Sequence, residues 1–155
     1  MSVLSINWVL GVMSYFVLPS MGPAFYEPHL FAGLPDTGTA SLQSALMEDR
    51  RAFVADPVGS GQLQSIAAFA SLHVSIVFAG TLVAHMLRAP RTLRIAMWVY
   101  LGLTSAATIY FGWHYVVDDV AGFVIGFVSV YLGALLTGWR IERKAAPARF
   151  QLESA

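Results

Sequence analysis

The chain has 155 residues, of which 57% are hydrophobic and only 12% are charged, and its formal net charge is zero. The length suggests one domain, and the composition points away from the soluble class. The sequence has no basic patch of the kind that binds nucleic acid, so no nucleic-acid partner is expected. Because the chain has no cysteine, disulfides and thiolate metal sites are excluded.

Four apolar stretches are each long enough to cross a membrane. A bilayer-spanning helix needs about 17–25 predominantly apolar residues, and a helix satisfies its own backbone hydrogen bonds where water is absent. We therefore predict an all-α fold, a polytopic membrane helical bundle with about four transmembrane helices in one domain. The predicted spans are residues 1–19, 66–88, 92–113 and 116–139.

The segment between the first two predicted spans, residues 20–65, begins with turns rich in proline and glycine. From Thr39 to Ala55 the apolar residues recur near the helical period, with charged residues clustered between them. We predict an amphipathic helix here, stopped by Asp56, Pro57 and Gly59. This helix either lies on the membrane surface or folds back over the bundle.

The positions of lysine and arginine predict the orientation of the spans. Seven of the nine basic residues lie in the link between the second and third spans or in the tail, residues 140–155. The other two, Arg50 and Arg51, lie between the first and second spans. By the positive-inside rule the link and the tail are cytoplasmic, and residues 20–65 are external.

A histidine and a carboxylate lie close to the start of the fourth predicted span. His114 and Asp118 are four residues apart, so their side chains share one face if the helix has begun by His114. Gly122 and Gly126 continue that face and allow a neighbouring helix to approach closely. Asp119 is turned by about 100° from Asp118 on a helix, and we expect it to face the lipid headgroups.

A second histidine is expected at the same membrane level. Ser71 and His73 lie in the first turns of the second span, where free backbone amides and the helix dipole favour an anion. Ionisable groups inside a membrane bundle are costly and usually functional. One imidazole could attack a phosphorus atom while the other protonates the leaving oxygen. A bis-histidine haem or metal protein and a non-catalytic assembly or transport subunit are alternatives from other classes.

At these residues the chain resembles the type-2 phosphatidic acid phosphatase superfamily. Residues Ala70–His73 are similar to its second motif, Pro-Ser-x-His, and residues His114–Asp118 match the His-x-x-x-Asp that ends its third motif. The sequence around both motifs looks closest to the branch that includes inositol phosphorylceramide synthases and actinobacterial relatives. The resemblance covers most of the chain, about residues 15–139.

The resemblance implies a role for each matched residue. His114 would be the nucleophile that forms a phosphohistidine, and Asp118 would orient it. His73 would be the general acid, and Ser71 would hold phosphate oxygens. The resemblance implies no metal and no cofactor.

The chain departs from the family pattern at three points. Ala70 replaces the proline of the second motif, and Thr108 stands where the third motif usually carries an arginine. The first motif, Lys-x6-Arg-Pro, is absent, and members commonly have six spans, so we expect either the C-terminal portion of a longer protein or a shortened member. Because a phosphate needs cationic neutralisation, Arg50 and Arg51 are the predicted phosphate-binding cations.

The expected function is that of a membrane-integral lipid phosphate phosphatase. It would hydrolyse a phosphomonoester or pyrophosphate lipid at the outer leaflet, in a bacterial plasma membrane with the site facing outward. Transfer of a phosphoryl headgroup, such as inositol phosphate, to a lipid alcohol uses the same intermediate and is the alternative. The expected partners are the lipid phosphate substrate and membrane lipids, and a homo-oligomer is compatible with the sequence.

Overall fold

The computed structural model describes residues 2–35, 37–59 and 68–138, and every regular element within these ranges is helical. The prediction of an all-helical fold is therefore confirmed for this part of the chain. The predicted tail, residues 140–155, lies outside the described residues. The helices are α1 (Ser2–Val17), α2 (Pro23–Tyr26), α3 (Gly38–Ala55), α4 (Leu72–Met86), α5 (Arg91–Tyr110) and α6 (Val116–Leu136), with a 3₁₀ turn at Pro28–Leu30.

Helix α6 is the centre of the bundle. It packs most extensively against α4 and next against α1, while α5 packs against α4. A Cβ atom at Gly122 would lie 2.6 Å from the carbonyl oxygen of Ser71, and one at Gly126 would lie 2.7 Å from that of Ser75. The predicted role of these glycines in close helix packing is thus confirmed.

Helix α4 begins at Leu72, after the start of the predicted span 66–88, and α6 begins at Val116. Ser71 is the N-cap of α4, and its hydroxyl accepts a hydrogen bond from the backbone N–H of Val74. Tyr115 is the N-cap of α6, and its N–H donates to Oδ2 of Asp118 over 2.7 Å. The two cap residues therefore set the starts of α4 and α6, and the loops before them carry part of the site.

Two helices, α5 and α6, are long and apolar enough to cross a membrane on length and composition. Helices α1 and α4 have 16 and 15 residues. At 1.5 Å per residue they reach about 24 Å and 22 Å, which is less than the roughly 30 Å of a hydrocarbon core. The outer faces of the long helices carry many exposed large hydrophobic side chains, among them Trp98, Leu103, Val124 and Phe127.

The predicted amphipathic helix is present as α3, Gly38–Ala55, and it has no buried residue. It contacts α2, and the side-chain amide of Gln43 donates a 2.7 Å hydrogen bond to the carbonyl oxygen of Phe111. This bond ties α3 to the connection between α5 and α6, close to the histidine motif. The external location of α3 stays a prediction.

Candidate active site

The two histidines of the predicted site lie in direct contact. Nδ1 of His73 is 3.4 Å from Nε2 of His114, and the two ring centroids are 5.7 Å apart in an edge-to-face arrangement. The residues are 41 positions apart in the chain. Their predicted proximity is therefore confirmed, and the described fold brings one ring from α4 against one from the α5–α6 connection.

The loop that leads into α4 is held by the end of α1. The backbone N–H of Ala70 donates to Oγ of Ser14 over 3.0 Å, and the N–H of Phe69 donates to Oγ of Ser20 over 2.9 Å. The N–H of Ala68 donates to the carbonyl oxygen of Ser20. These bonds satisfy the backbone of a buried loop, and they place His73 in the first turn of α4 against α1.

The connection between α5 and α6 positions His114. Gly112 has φ of +69°, a conformation that glycine adopts at low cost, and it turns the chain at the end of α5. The N–H groups of Trp113 and His114 then both donate to the carbonyl oxygen of Thr108, at 2.9 Å and 3.2 Å. The helix has not begun at His114, so the condition for the predicted i, i+4 helical pair with Asp118 is not met.

The hydrogen bonds of His114 determine which ring nitrogen carries the proton. Nδ1 lies 2.8 Å from the carbonyl oxygen of Ala68, which can only accept, so Nδ1 carries the hydrogen. Burial lowers the pKa of His114, and the neighbouring His73 lowers it further, while the Ala68 carbonyl and Asp118 oppose the shift. The neutral ring therefore presents the lone pair of Nε2 toward His73.

Asp118 is a buried charge close to this ring. Its Oδ2 lies 3.8 Å from Nδ1 of His114, and its side chain is 3% exposed. The same oxygen accepts the shorter bond from the N–H of Tyr115. In this structure the carbonyl of Ala68 makes the direct hydrogen bond to His114, and Asp118 supplies negative charge beside it.

Asp119 does not face lipid headgroups, and that expectation is wrong. It is 4% exposed, and both of its carboxylate oxygens lie 3.4 Å from Oγ1 of Thr108. The hydroxyl of Ser71, at the start of α4, lies near the same carboxylate. The first turn of α6 is enclosed on two sides, by the start of α4 and the end of α5, so its two adjacent acids are both buried. Thr108 in place of the expected arginine was the sequence signal for a changed environment here.

The predicted phosphate-binding residues lie at different depths. Ser71 is completely buried, and its hydroxyl faces the cap of α4 and Asp119. Arg50 is half-buried on α3, and Arg51 is exposed. Arg51 lines a second cavity of about 420 Å³, next to Gln43 and Glu48, while neither arginine lines the described walls of the histidine cavity.

The two histidines open into a cavity of about 720 Å³. Apart from His73, His114 and the half-buried Tyr15, its walls are almost entirely apolar. A reacting group and a large apolar volume thus share one space. The other lining residues are Trp8, Val12, Phe16, Gly22, Phe25, Leu46, Ala68, Leu72, Ile76 and Trp113.

Comparison with known proteins identifies the family. No curated protein and no solved structure matches the chain. A family model described as the PAP2 superfamily matches residues 1–132, a range that includes both histidines and both buried acids. This match confirms the resemblance at the level of the superfamily and supports a phosphatase-type activity. The chain belongs to the PAP2 superfamily.

Proposed function

We propose that the protein is a membrane-integral lipid phosphate phosphatase that works through a phosphohistidine on His114. The observation that carries this proposal is the pair of imidazoles at the wall of a large apolar cavity. One ring nitrogen of His114 has a free lone pair, because the other, Nδ1, donates its hydrogen to the carbonyl oxygen of Ala68. That nitrogen, Nε2 of His114, is the one that faces the second histidine.

In the proposed reaction the substrate phosphate displaces the contact between the two rings. Nε2 of His114 attacks phosphorus, a P–N bond forms, and the P–O bond to the lipid breaks. The developing imidazolium is stabilised by the Ala68 carbonyl at 2.8 Å and by the buried charge of Asp118. His73 gives its proton to the departing lipid oxygen. It then takes a proton from the water that attacks phosphorus and breaks the P–N bond, which releases phosphate.

The shape of the cavity supports a lipid substrate. Helices α1 and α4 run antiparallel, because Ser14 contacts Ala70 near one end and Asn7 contacts Ser75 further along. The apolar wall on α1 extends from Trp8 to Phe16, about 12 Å at 1.5 Å per residue. Such a length accommodates part of a hydrocarbon chain, and burying it supplies binding free energy.

The roles of the polar residues around the phosphate are part of the same proposal. The contacts of Ser71 favour a positioning role over the direct phosphate contact that the family pattern implies. Arg50 and Arg51 remain the proposed cations for phosphate charge, and a movement of α3 would be needed to bring either to the histidines. Gln43 is the side chain that such a movement would release from Phe111.

One observation favours transfer to an alcohol as a second candidate reaction. The histidine cavity and the cavity beside α3 share Phe25 as a wall. The second cavity carries polar groups that suit a hydroxylated acceptor, namely those of Gln43, Ser44, Glu48 and Arg51. An acceptor alcohol bound there could replace water in the second step, as in the inositol phosphorylceramide synthase-like branch that the sequence resembles.

We also propose four spans in a bacterial plasma membrane, with the histidines at the outer face. The chain has no cysteine, so single cysteines report cleanly on sidedness. Val58→Cys lies at a position that is 94% exposed, after α3, and Ala89→Cys lies in the link between α4 and α5. An impermeant thiol reagent on intact cells should label the first and not the second. The opposite labelling would put the site on the cytoplasmic side.

Phosphate release from purified protein in vesicles tests the activity. A panel of phosphatidic acid, an isoprenyl pyrophosphate and a phosphodiester lipid, each with and without an added alcohol, separates hydrolysis from transfer. His114→Ala should abolish release, while His29→Ala should leave it unchanged, because His29 is an exposed histidine paired with Glu27. No turnover of any substrate by the folded wild type would overturn the proposal.

A further inference from the structure

Tyr15 carries a hydroxyl that the proposed chemistry leaves without a task. It lies on α1, it is half-buried, and it lines the cavity into which His73 and His114 open. Its hydroxyl has no hydrogen-bond partner among the residues that the structure describes. A buried tyrosine usually gives its O–H a partner, because the group loses water when the ring packs against apolar side chains. The O–H of Tyr15 is therefore available to a molecule that enters the cavity.

Helix α1 uses one face for the cavity and another for packing. Four of its residues line the cavity at helical spacing, so they share one face. They are Trp8, Val12, Tyr15 and Phe16. The neighbouring Ser14 is already engaged, because its hydroxyl donates to the carbonyl oxygen of Gly11 and accepts from the N–H of Ala70. Ser14 thus holds α1 in the bundle, while the hydroxyl of Tyr15 stays free.

The packing of α1 places Tyr15 close to the level of the histidines. Gly11 lies against the side chain of Leu72, which is the first residue of α4 and precedes His73 in the chain. Tyr15 is one turn beyond Gly11 on α1. Long side chains on a helix point back toward its N-terminus, so the phenol of Tyr15 extends toward the turn that contains Gly11. This direction brings the hydroxyl toward the start of α4, where His73 lies.

A phosphate that reaches the histidines meets few donors in the described walls of the cavity. Neither Arg50 nor Arg51 lines these walls. In the proposed reaction His114 attacks phosphorus and His73 protonates the departing oxygen, so neither ring serves the other phosphoryl oxygens. Charge on those oxygens is stabilised best by donors that are already in place before the attack. Tyr15 supplies the only hydroxyl among the described residues that line the cavity.

We propose that the Tyr15 hydroxyl donates a hydrogen bond to a non-bridging oxygen of the substrate phosphate while His114 attacks. This inference rests on the proposed function, and it adds a substrate-binding residue that neither family motif includes. The phenol keeps its proton throughout, so it stabilises charge without taking part in proton transfer. It acts on the phosphoryl group itself, which is common to all the substrates of the site.

The kinetic test compares Tyr15→Phe with the wild type on two leaving groups over a range of pH. With a lipid phosphate we expect roughly 10- to 100-fold loss of kcat/KM, the range that one hydrogen bond to a charged group supplies. With an activated aryl phosphate the loss should be the same, because both substrates carry the same phosphoryl oxygens. The pH profile should keep its shape, since a phenol stays protonated where histidines titrate.

Tyr110→Phe is the matched control. Tyr110 ends α5, is 56% exposed and does not line the described walls of the histidine cavity. Its ring contacts Phe111, and phenylalanine keeps that contact. The control should retain the wild-type rate on both substrates. Equal losses in Tyr15→Phe and Tyr110→Phe, or a Tyr15→Phe loss confined to the lipid phosphate, would overturn the proposal.

A binding measurement reads the same contact without turnover. In protein labelled with ¹³C at tyrosine Cζ, the Tyr15 signal is the one that Tyr15→Phe lacks. Titration with inorganic phosphate should shift this signal and the ¹⁵N signals of the His114 ring with one midpoint, because one ion touches both side chains. A Tyr15 signal that stays fixed throughout the titration contradicts the proposal. If the folded wild type turns over no substrate, the proposed function fails, and this titration alone decides whether Tyr15 belongs to an anion site.

Discussion

Nδ1 of His73 and Nε2 of His114 face one another at 3.4 Å, and the other nitrogen of His114 is bonded to the carbonyl of Ala68. Because that carbonyl holds the hydrogen on Nδ1, the contact between the rings joins a lone pair on His114 to a hydrogen on His73. The resting pair thus places a hydrogen-bond acceptor on His114 against a donor on His73.

The pH dependence of the reaction should report the lowered pKa of His114. Burial and the nearby His73 lower that pKa below the ordinary value near 6.5, so His114 keeps its lone pair at pH values where an exposed histidine is charged. The acid limb of kcat/KM with an activated aryl phosphate should therefore lie below pH 6.5.

The lowered pKa of His114 should also make the folded state less stable at acidic pH. A lowered pKa in the folded state stabilises the fold above pH 6.5, and this contribution is lost as the pH falls through the lowered value. Thermal unfolding of the detergent-solubilised protein between pH 5 and 8 should show the wild type losing stability on acidification more than His114→Gln. In the kinetic experiment, an acid limb of kcat/KM at or above pH 6.5 would contradict the assignment of His114 as a buried base.

Alanine substitutions of the two histidines should have different effects on the covalent step. His114→Ala should lose the acid-labile labelling that radioactive phosphate leaves on the wild type. His73→Ala should keep labelling with an activated aryl phosphate and lose about 10²–10⁴-fold with a lipid phosphate, because only the lipid oxygen needs a proton. Labelling that persists in His114→Ala would identify another nucleophile.

Close packing of α6 on α4 should be sensitive to one methyl group. In Gly122→Ala the new Cβ would lie 2.6 Å from the carbonyl oxygen of Ser71, a backbone atom that cannot move alone. Overpacking of this kind costs about 1–3 kcal/mol. Gly102→Ala on α5 is the matched control, since a Cβ there meets nothing within 4 Å and alanine favours the helix. Thermal unfolding should separate the two variants, and equal stabilities would contradict the packing.

Much of the fold, and the nearness of the two histidines, was predictable from the sequence. Hydrophobic runs and the turn residues between them predicted an all-helical bundle, and the glycine spacing predicted the close face of α6. The proximity of His73 and His114 followed from their expected membrane level. Each of these predictions depends on a local pattern of residues, and a single sequence is enough to show such a pattern.

The contacts that the sequence could not predict are those that depend on another element. The burial of Asp119 arises because Thr108 of α5 and Ser71 of α4 enclose the first turn of α6. The bond from His114 to the Ala68 carbonyl depends on a loop that Ser14 and Ser20 of the α1 end hold in place. Helical periodicity places a side chain on a face, and it does not tell what packs against that face.

Two buried serines should differ in what they contribute to the bundle. Ser75 and Ser129 are both completely buried, on α4 and α6. The hydroxyl of Ser129 donates within its own helix, to the carbonyl oxygen of Ile125 at 2.7 Å. When this hydroxyl is removed, the Ile125 carbonyl keeps its backbone hydrogen bond within the helix. The hydroxyl of Ser75 donates to Oδ1 of Asn7 on α1 at 2.9 Å. Ser75 is thus the partner of the amide oxygen of Asn7, and Nδ2 of the same amide has no hydrogen-bond partner among the described residues.

Ser75→Ala should therefore destabilise the protein by about 1–3 kcal/mol, because it leaves both ends of the buried Asn7 amide unpaired. Ser129→Ala should cost less than Ser75→Ala, because it breaks no hydrogen bond between helices. Thermal unfolding of both variants in the same detergent measures the difference, and phosphate release checks that the histidine site is intact. If the two alanine variants are equally stable, the bond between α1 and α4 does not contribute to the fold. A larger loss for Ser129→Ala would show that α6 depends on a contact other than its own carbonyl.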